Sequence, residues 1–198
     1  MSLAVFLIPS GSFNDEIIHW KRKINKFFSN SPYNNHPPHS TIINLEIVNE
    51  NEAINTIKRI STGLKSFEIT IDHTNVFWND GATGGHTLYF GINKNDRLFS
   101  LQQLLAEQLK YHFQYIPEPN YIKQNKILMK SYLKYGFPFV GHHWLPHFSV
   151  ASLITNKDEQ IIKEFLNSTI RKKLLVDKFS VWKIEEEKHT KIETINLI

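Results

Sequence analysis

Two short segments carry the same residue types in the same order: PHSTI at 38–42 and PHFSV at 146–150. Each sets a histidine after a proline, a hydroxyl residue two places later and an apolar β-former after that. Alternate side chains of a strand share a face, so His39 and Thr41 point one way while Ser40 and Ile42 point the other. The same parity sets His147 beside Ser149 and turns Phe148 and Val150 away. Same-face neighbours lie roughly 6 to 7 Å apart along a strand. At that spacing an imidazole and a hydroxyl can grip one tetrahedral phosphate, the histidine at a bridging oxygen or incoming water and the hydroxyl at a non-bridging oxygen. Two such pairs facing each other across a cleft would supply a general base and a general acid. Histidine serves either role because its unperturbed pKa is about 6.5. Which histidine starts as base does not follow from the sequence. Among ten histidines, a hydroxyl two places on is a weak signal by itself; the matching proline, β-former and place in the chain carry the weight.

The elements that must position these residues repeat. The apolar run 3–8, closed by Pro9 and Gly11, reads as a buried strand. Ile17, Trp20, Ile24, Phe27 and Phe28 recur at helical spacing in a helix starting near Asn14 and Asp15. Residues 41–47 return to β-formers, and Ala53, Ile54, Ile57 and Ile60 mark a second helix ended by Gly63. Phe67, Ile69 and Ile71 then alternate with polar residues as a strand with one wet face. After the turn-rich NDGATGG the series restarts with a strand at 87–92 and a helical stripe of Leu98, Leu101, Leu104, Leu105 and Leu109. A strand at 147–153 follows, then a helix carrying Ile161, Ile162, Phe165 and Leu166 with Thr155 and Asp158 as capping box, then strands at 179–184 and 192–197. Both halves read strand, helix, motif strand, helix, strand. The expectation is a diverged duplication, one domain of two repeated units at approximately 1–80 and 81–198.

Composition bounds the rest. With 41% hydrophobic and 21% charged residues, the 198-residue chain has the apolar content for a sizeable core. It has no cysteine, which excludes disulfides, cysteine nucleophiles and thiolate metal sites. The net charge of +4 suits a phosphate-bearing partner without requiring one. The opening LAVFLIP is short, lacks a basic leader and reads as a strand. No run approaches the roughly 18 apolar residues of a membrane span. A soluble, cytoplasmic monomer that binds no membrane is expected.

Other features admit competing readings. The connection before the second motif is much longer than its counterpart before the first, and is either a substrate-facing lid or a short extra helix at 127–135. Its aromatic residues include Tyr132, Tyr135, Phe137, Phe139 and Trp144; Tyr135 and Trp144, flanked by loop-forming residues, are the preferred pair for stacking on a nucleobase. HHWLPH brings His142, His143 and His147 together, but Pro146 denies them a helical ligand spacing, so no metal is expected. His36, followed by two prolines, reads as a loop residue, and His19, His112 and His189 as surface positions. The basic runs 21–23 and 171–173 read as solvated helix surface, and GATGGH, lacking the lysine of a phosphate loop, as a turn.

PHSTI and PHFSV resemble the two HxTx or HxSx signatures of the 2H phosphoesterase superfamily, which includes 2',3'-cyclic nucleotide phosphodiesterases, 2'-5' RNA ligase-like proteins and 2'-5' oligonucleotide phosphodiesterases. The resemblance implies an α+β fold, bilobal, with two pseudosymmetric antiparallel-sheet lobes, outer helices and a central cleft. It further implies a cofactor-free site in which His39, Thr41, His147 and Ser149 act on a nucleotide or RNA bearing a 2',3'-cyclic phosphate or a 2'-5' linkage. Ser40 departs from the pattern, standing where many relatives carry an apolar residue. A binding protein that captures such ends without turnover, and a zinc hydrolase built on HHWLPH, are the alternatives from other classes.

Overall fold

The computed structural model describes residues 2–29, 31–185 and 188–198. In chain order the elements are β1 (Ser2–Leu7), α1 (Gly11–Asn25), β2 (Ser40–Glu46), α2 (Glu50–Ser61), β3 (Phe67–Phe77), β4 (His86–Ile92) and α3 (Asp96–Leu109). There follow α4 (Asn120–Lys123), α5 (Lys126–Tyr135), a 3-10 turn at Gly141–His143, β5 (His147–Leu153), α6 (Gln160–Leu166), β6 (Lys172–Val176), β7 (Lys178–Glu185) and β8 (Lys188–Asn196). The architecture is α+β, with two four-stranded sheets in the orders β2-β1-β7-β8 and β5-β4-β3-β6. Every pairing is antiparallel.

The two orders match over their first three places. In each sheet a motif strand lies at one edge, β2 or β5, beside the first strand of its own half. The third place is taken by a strand from the other half of the chain: β7 joins β1, and β3 joins β4. The lobes are therefore tied together by exchanged strands. The helices complete the tie. Phe13 of α1 sets its ring edge-on to Phe148 of β5 at 5.0 Å and Phe90 of β4 at 5.6 Å, and Trp20 meets Phe165 of α6 at 5.1 Å. A helix of the first half thus covers the inner face of the second sheet, burying a row of aromatic carbon that drives the docking.

Several elements differ from the sequence reading. α1 begins earlier, at Gly11, whose φ of +56° suits glycine, after an extended Ser10. α6 starts at Gln160 with Glu159 as cap, so Thr155 does not cap it and instead donates to the Glu159 carboxylate at 3.3 Å. The basic run 171–173 leads into β6 rather than capping a helix, with Lys173 paired to Glu68 across the strands at 2.7 Å. The long connection folds into α4, α5 and the 3-10 turn. Asn125 caps α5 through the N–H groups of Ile127 and Leu128, and Gly136 at φ +71° ends it. No described helix is long and apolar enough to cross a membrane.

Candidate active site

The two motif strands lie against each other, with β2 and β5 within 8 Å, Cα to Cα. Three bonds fix that approach. The indole of Trp144 donates to the Thr41 carbonyl at 3.1 Å, the Ser152 N–H donates to Pro32 O at 2.9 Å, and the Lys21 ammonium donates to Val150 O at 2.9 Å. The burial pattern follows the predicted parity: Ser40, Ile42, Phe148 and Val150 are buried, while His39, Thr41, His147 and Ser149 are half-buried on the opposite face. Ser40, the departure from the pattern, is buried with its hydroxyl unpaired.

Each motif places its imidazole by the same device. His39 Nδ1 lies 2.7 Å from Pro37 O, and His147 Nδ1 lies 2.6 Å from Leu145 O, in both cases the carbonyl two residues back. A carbonyl can only accept, so both Nδ1 atoms carry the proton and both Nε2 atoms are left to exchange protons with a substrate. The proline between carbonyl and histidine holds that carbonyl in reach, which explains its presence in both copies. A β-bulge follows at the same point. The β1–β2 register slips between Val5 and Phe6, which face Ile43 and Thr41, and the β4–β5 register slips between Leu88 and Tyr89, which face Ala151 and Ser149. Ile42 and Val150 are the extra residues, and a bulge of this kind re-aims the neighbouring hydroxyl. Among the described residues no protein group bonds the Thr41 or Ser149 hydroxyl.

The aromatic floors also correspond. Phe6, opposite Thr41, stacks under His39 at 4.0 Å, with Trp182 of β7 6.0 Å from Phe6. Tyr89, opposite Ser149, lies 5.1 Å from His147, with Phe77 of β3 stacked on Tyr89 at 4.1 Å and edge-on to His147 at 4.9 Å. The charges do not correspond. Burial pushes the His39 imidazole down to about 3, opposed by its bond to Pro37 and reinforced by the positive charges of His189, His36 and Lys21. Burial also lowers His147, but there the Leu145 bond and the Asp80 carboxylate pull upward. Asp80 is held in the β3–β4 turn by accepting from Thr87 Oγ1 at 2.6 Å and the Ala82 N–H at 3.0 Å.

Three of these neighbours were read otherwise in the sequence. Lys21 is no solvated residue: it is buried, donates to Tyr33 O, Asn34 O and Val150 O, and is pushed down to about 8 by that burial. His189, expected at the surface, lies 4.3 Å from the ring of His36 and 5.9 Å from that of His39. His36 is a loop residue as expected, but the loop turns it into this cluster. Tyr135 and Trp144 are corrected in the other direction. Tyr135 faces inward at the end of α5 and donates to the Glu107 carboxylate at 2.6 Å. Trp144 is 3% exposed, packs edge-on to Phe99 at 5.4 Å and spends its only donor on Thr41 O. Neither offers a ring face for stacking, because both fill core space that the long connection encloses. Among the described residues no three His, Cys, Asp or Glu side chains group to hold a metal ion.

The model of the 2'-5' RNA ligase superfamily matches residues 9–188. No curated protein matches the sequence. The fold is similar to that of TT0787 of Thermus thermophilus, at 14% identity and a TM-score of 0.68 over 100% of this chain and 98% of that one. E. coli LigT complexed with 3'-AMP matches at 15% identity and TM-score 0.61, covering 98% of this chain and 97% of LigT. Kluyveromyces marxianus Usb1 matches at 12% identity and TM-score 0.51, covering 99% and 98%.

Proposed function

The chain belongs to the 2'-5' RNA ligase superfamily of 2H phosphoesterases, and from that premise we propose that it hydrolyses the 2',3'-cyclic phosphate of a nucleotide or RNA end. One observation carries the reading: two imidazoles, each fixed by its Nδ1 bond to the carbonyl two residues back, stand beside two unengaged hydroxyls on adjoining strands. Thr41 and Ser149 hold the non-bridging oxygens. One Nε2 takes a proton from the attacking water and the other gives a proton to the departing ribose oxygen, so the bond to that oxygen breaks as the bond from water forms. The surroundings divide the roles. His39, kept neutral by burial and by cationic neighbours, suits the base; His147, facing Asp80, suits the acid. By microscopic reversibility the same site can join ends. That E. coli LigT is seen with 3'-AMP supports a nucleotide ligand here. The equivalent strand orders support treating 1–80 and 81–198 as interleaved copies of one unit in a single domain.

The test is phosphorus NMR of the purified protein with each nucleoside 2',3'-cyclic phosphate and with a 2'-5' linked diadenylate, in EDTA. The proposal expects the cyclic signal to give way to a phosphomonoester, with turnover insensitive to chelation. Conversion of only the diadenylate moves the activity to 2'-5' oligonucleotide cleavage. Binding without turnover of either makes the protein a capture module, and loss of turnover on chelation returns the metal reading.

A further inference from the structure

One row of the second sheet holds two histidines. His73 of β3 stands opposite Gly91 of β4, and Gly91 stands opposite His147 of β5. Directly paired residues share a face, so all three lie on the face that carries the site. Thr74, one place on, turns the other way and donates to the carbonyls of Leu166 and Ser168 behind the sheet. The next row on the site's face reads Asn75, Tyr89 and Ser149. Glycine in the middle place of the first row leaves room that the His73 ring takes up: a Cβ on Gly91 would fall onto Nε2 of His73. Two strand spacings make roughly 10 Å, so an imidazole that starts on β3 crosses half the way to the His147 strand. Asp72 holds it there. A bulge between Ile71 and His73 leaves Asp72 out of the ladder, and its carboxylate accepts from His73 Nδ1 at 2.7 Å and from Asn93 Nδ2 at 2.9 Å. Nδ1 therefore carries the proton and Nε2 keeps its lone pair, which no group among the described residues engages.

The order β5-β4-β3, with β5 against β2, sets His73 on the side of His147 away from His39. Attacking and leaving oxygens stand roughly in line across the phosphorus. With His39 activating water and His147 protonating the departing ribose oxygen, the nucleoside that bears this oxygen extends from His147 over β4 and β3. We propose that His73 is a substrate-binding residue whose Nε2 accepts a hydrogen bond from an N–H or O–H of that nucleoside, with Asp72 and Asn93 fixing the ring and Gly91 giving it room. The ligand class is then a nucleoside phosphate rather than any phosphoester, and the donor is a base N–H or the sugar 5'-hydroxyl. The inference rests on the reaction proposed above for the side on which the nucleoside lies, and on the row His73, Gly91, His147 for the residue that meets it.

Calorimetry separates the two claims, because it needs no turnover. Inorganic phosphate, an abasic methyl riboside 3-phosphate and the four nucleoside 3'-phosphates are titrated into the wild type, His73→Ala, Gly91→Ala and the double variant. His73→Ala is expected to weaken nucleoside 3'-phosphate binding roughly fivefold, the factor carried by one hydrogen bond, and to leave the affinity for inorganic phosphate as it was. Gly91→Ala keeps every polar group and pushes the ring aside; it is expected to give the same loss, and to add nothing to His73→Ala in the double variant. A loss confined to the nucleoside phosphates assigns the donor to the base, and a loss shared by the abasic compound assigns it to the sugar hydroxyl. Wild-type affinity in both single variants, an equal weakening for inorganic phosphate, a further loss in the double variant, or a wild type that binds nucleoside phosphates no better than phosphate overturns the subsite. Absence of turnover of cyclic substrates alongside the expected affinities overturns the proposed reaction and leaves the binding residue standing.

Discussion

His39 and His147 are held by the same geometry and set in opposite electrostatics. Both donate through Nδ1 to the carbonyl two residues back, both precede a bulge, and both rest against an aromatic residue of the adjoining strand. Around His39 the charges that act are cationic; around His147 the one that acts is the Asp80 carboxylate. Backbone-set features such as a bulge or a carbonyl bond constrain both copies of a repeat alike, because each depends on the path of the strand. Side chains at the rim are free to differ, and they are where two like histidines acquire unlike surroundings.

The largest test removes the shared part. His39→Ala and His147→Ala are each expected to lower kcat by at least about a hundredfold, the lower range for lost general acid or base catalysis; a variant that folds and keeps its kcat breaks the equivalence. Next in size is Lys21→Met, which leaves the carbonyls of Tyr33, Asn34 and Val150 without their donor. Unpaired buried groups cost about 2 kcal/mol, so the melting temperature is expected to fall by roughly 4 to 8 °C and kcat with it, read by calorimetry and steady-state kinetics.

Acid sensitivity follows from the first lobe. His39 and His36 are held near about 3 and about 4 in the folded protein, against about 6.5 in the unfolded chain. Between those values the unfolded chain binds protons that the folded protein does not, so stability is complete above pH about 6.5 and falls as pH drops toward the folded values. Melting temperatures taken from pH 7 to pH 4 should decline, and less steeply in His36→Gln. The smallest effect sharpens the difference between the lobes. Asp80→Asn removes the charge that raises His147, so the alkaline limb of the kcat/KM profile should move to lower pH while the acidic limb stays; movement of the acidic limb instead would exchange the roles of the two histidines.

Much of this was legible in the sequence because it depends on periodicity. The alternation in PHSTI and PHFSV fixed which side chains share a face, and the repeating order of elements located both motifs on strands of equal rank. What escaped depends on partners distant in the chain. The bulges at Ile42 and Val150 exist only relative to Phe6 and Tyr89 on adjoining strands. Lys21 sits in the basic run of an amphipathic helix, and nothing in that run shows that β5 and the 31–36 loop close over it. His189 reaches His36 only because β8 adds to the edge of the first sheet. Tyr135 and Trp144 were misjudged for a related reason: flanking loop formers describe the backbone, while the exposure of a ring depends on what packs over it. KKLLV, short and basic, carries too weak an alternation to announce β6, which is recognised as a strand by its pairing with β3.

The exchanged strands bear on how the chain is made. β1 lies inside its sheet, between β2 and β7, and Ser2 pairs with Ile184. A ribosome delivers SLAVFL long before its second neighbour β7, so while the residues between them are made one edge of a strand that ends up buried stands open to other chains. Contacts of such long sequence separation also slow the search for the native pairing. The interleaving that joins the two histidines therefore leaves the nascent protein with an unsatisfied edge until β7 emerges, the interval in which a chaperone would matter most.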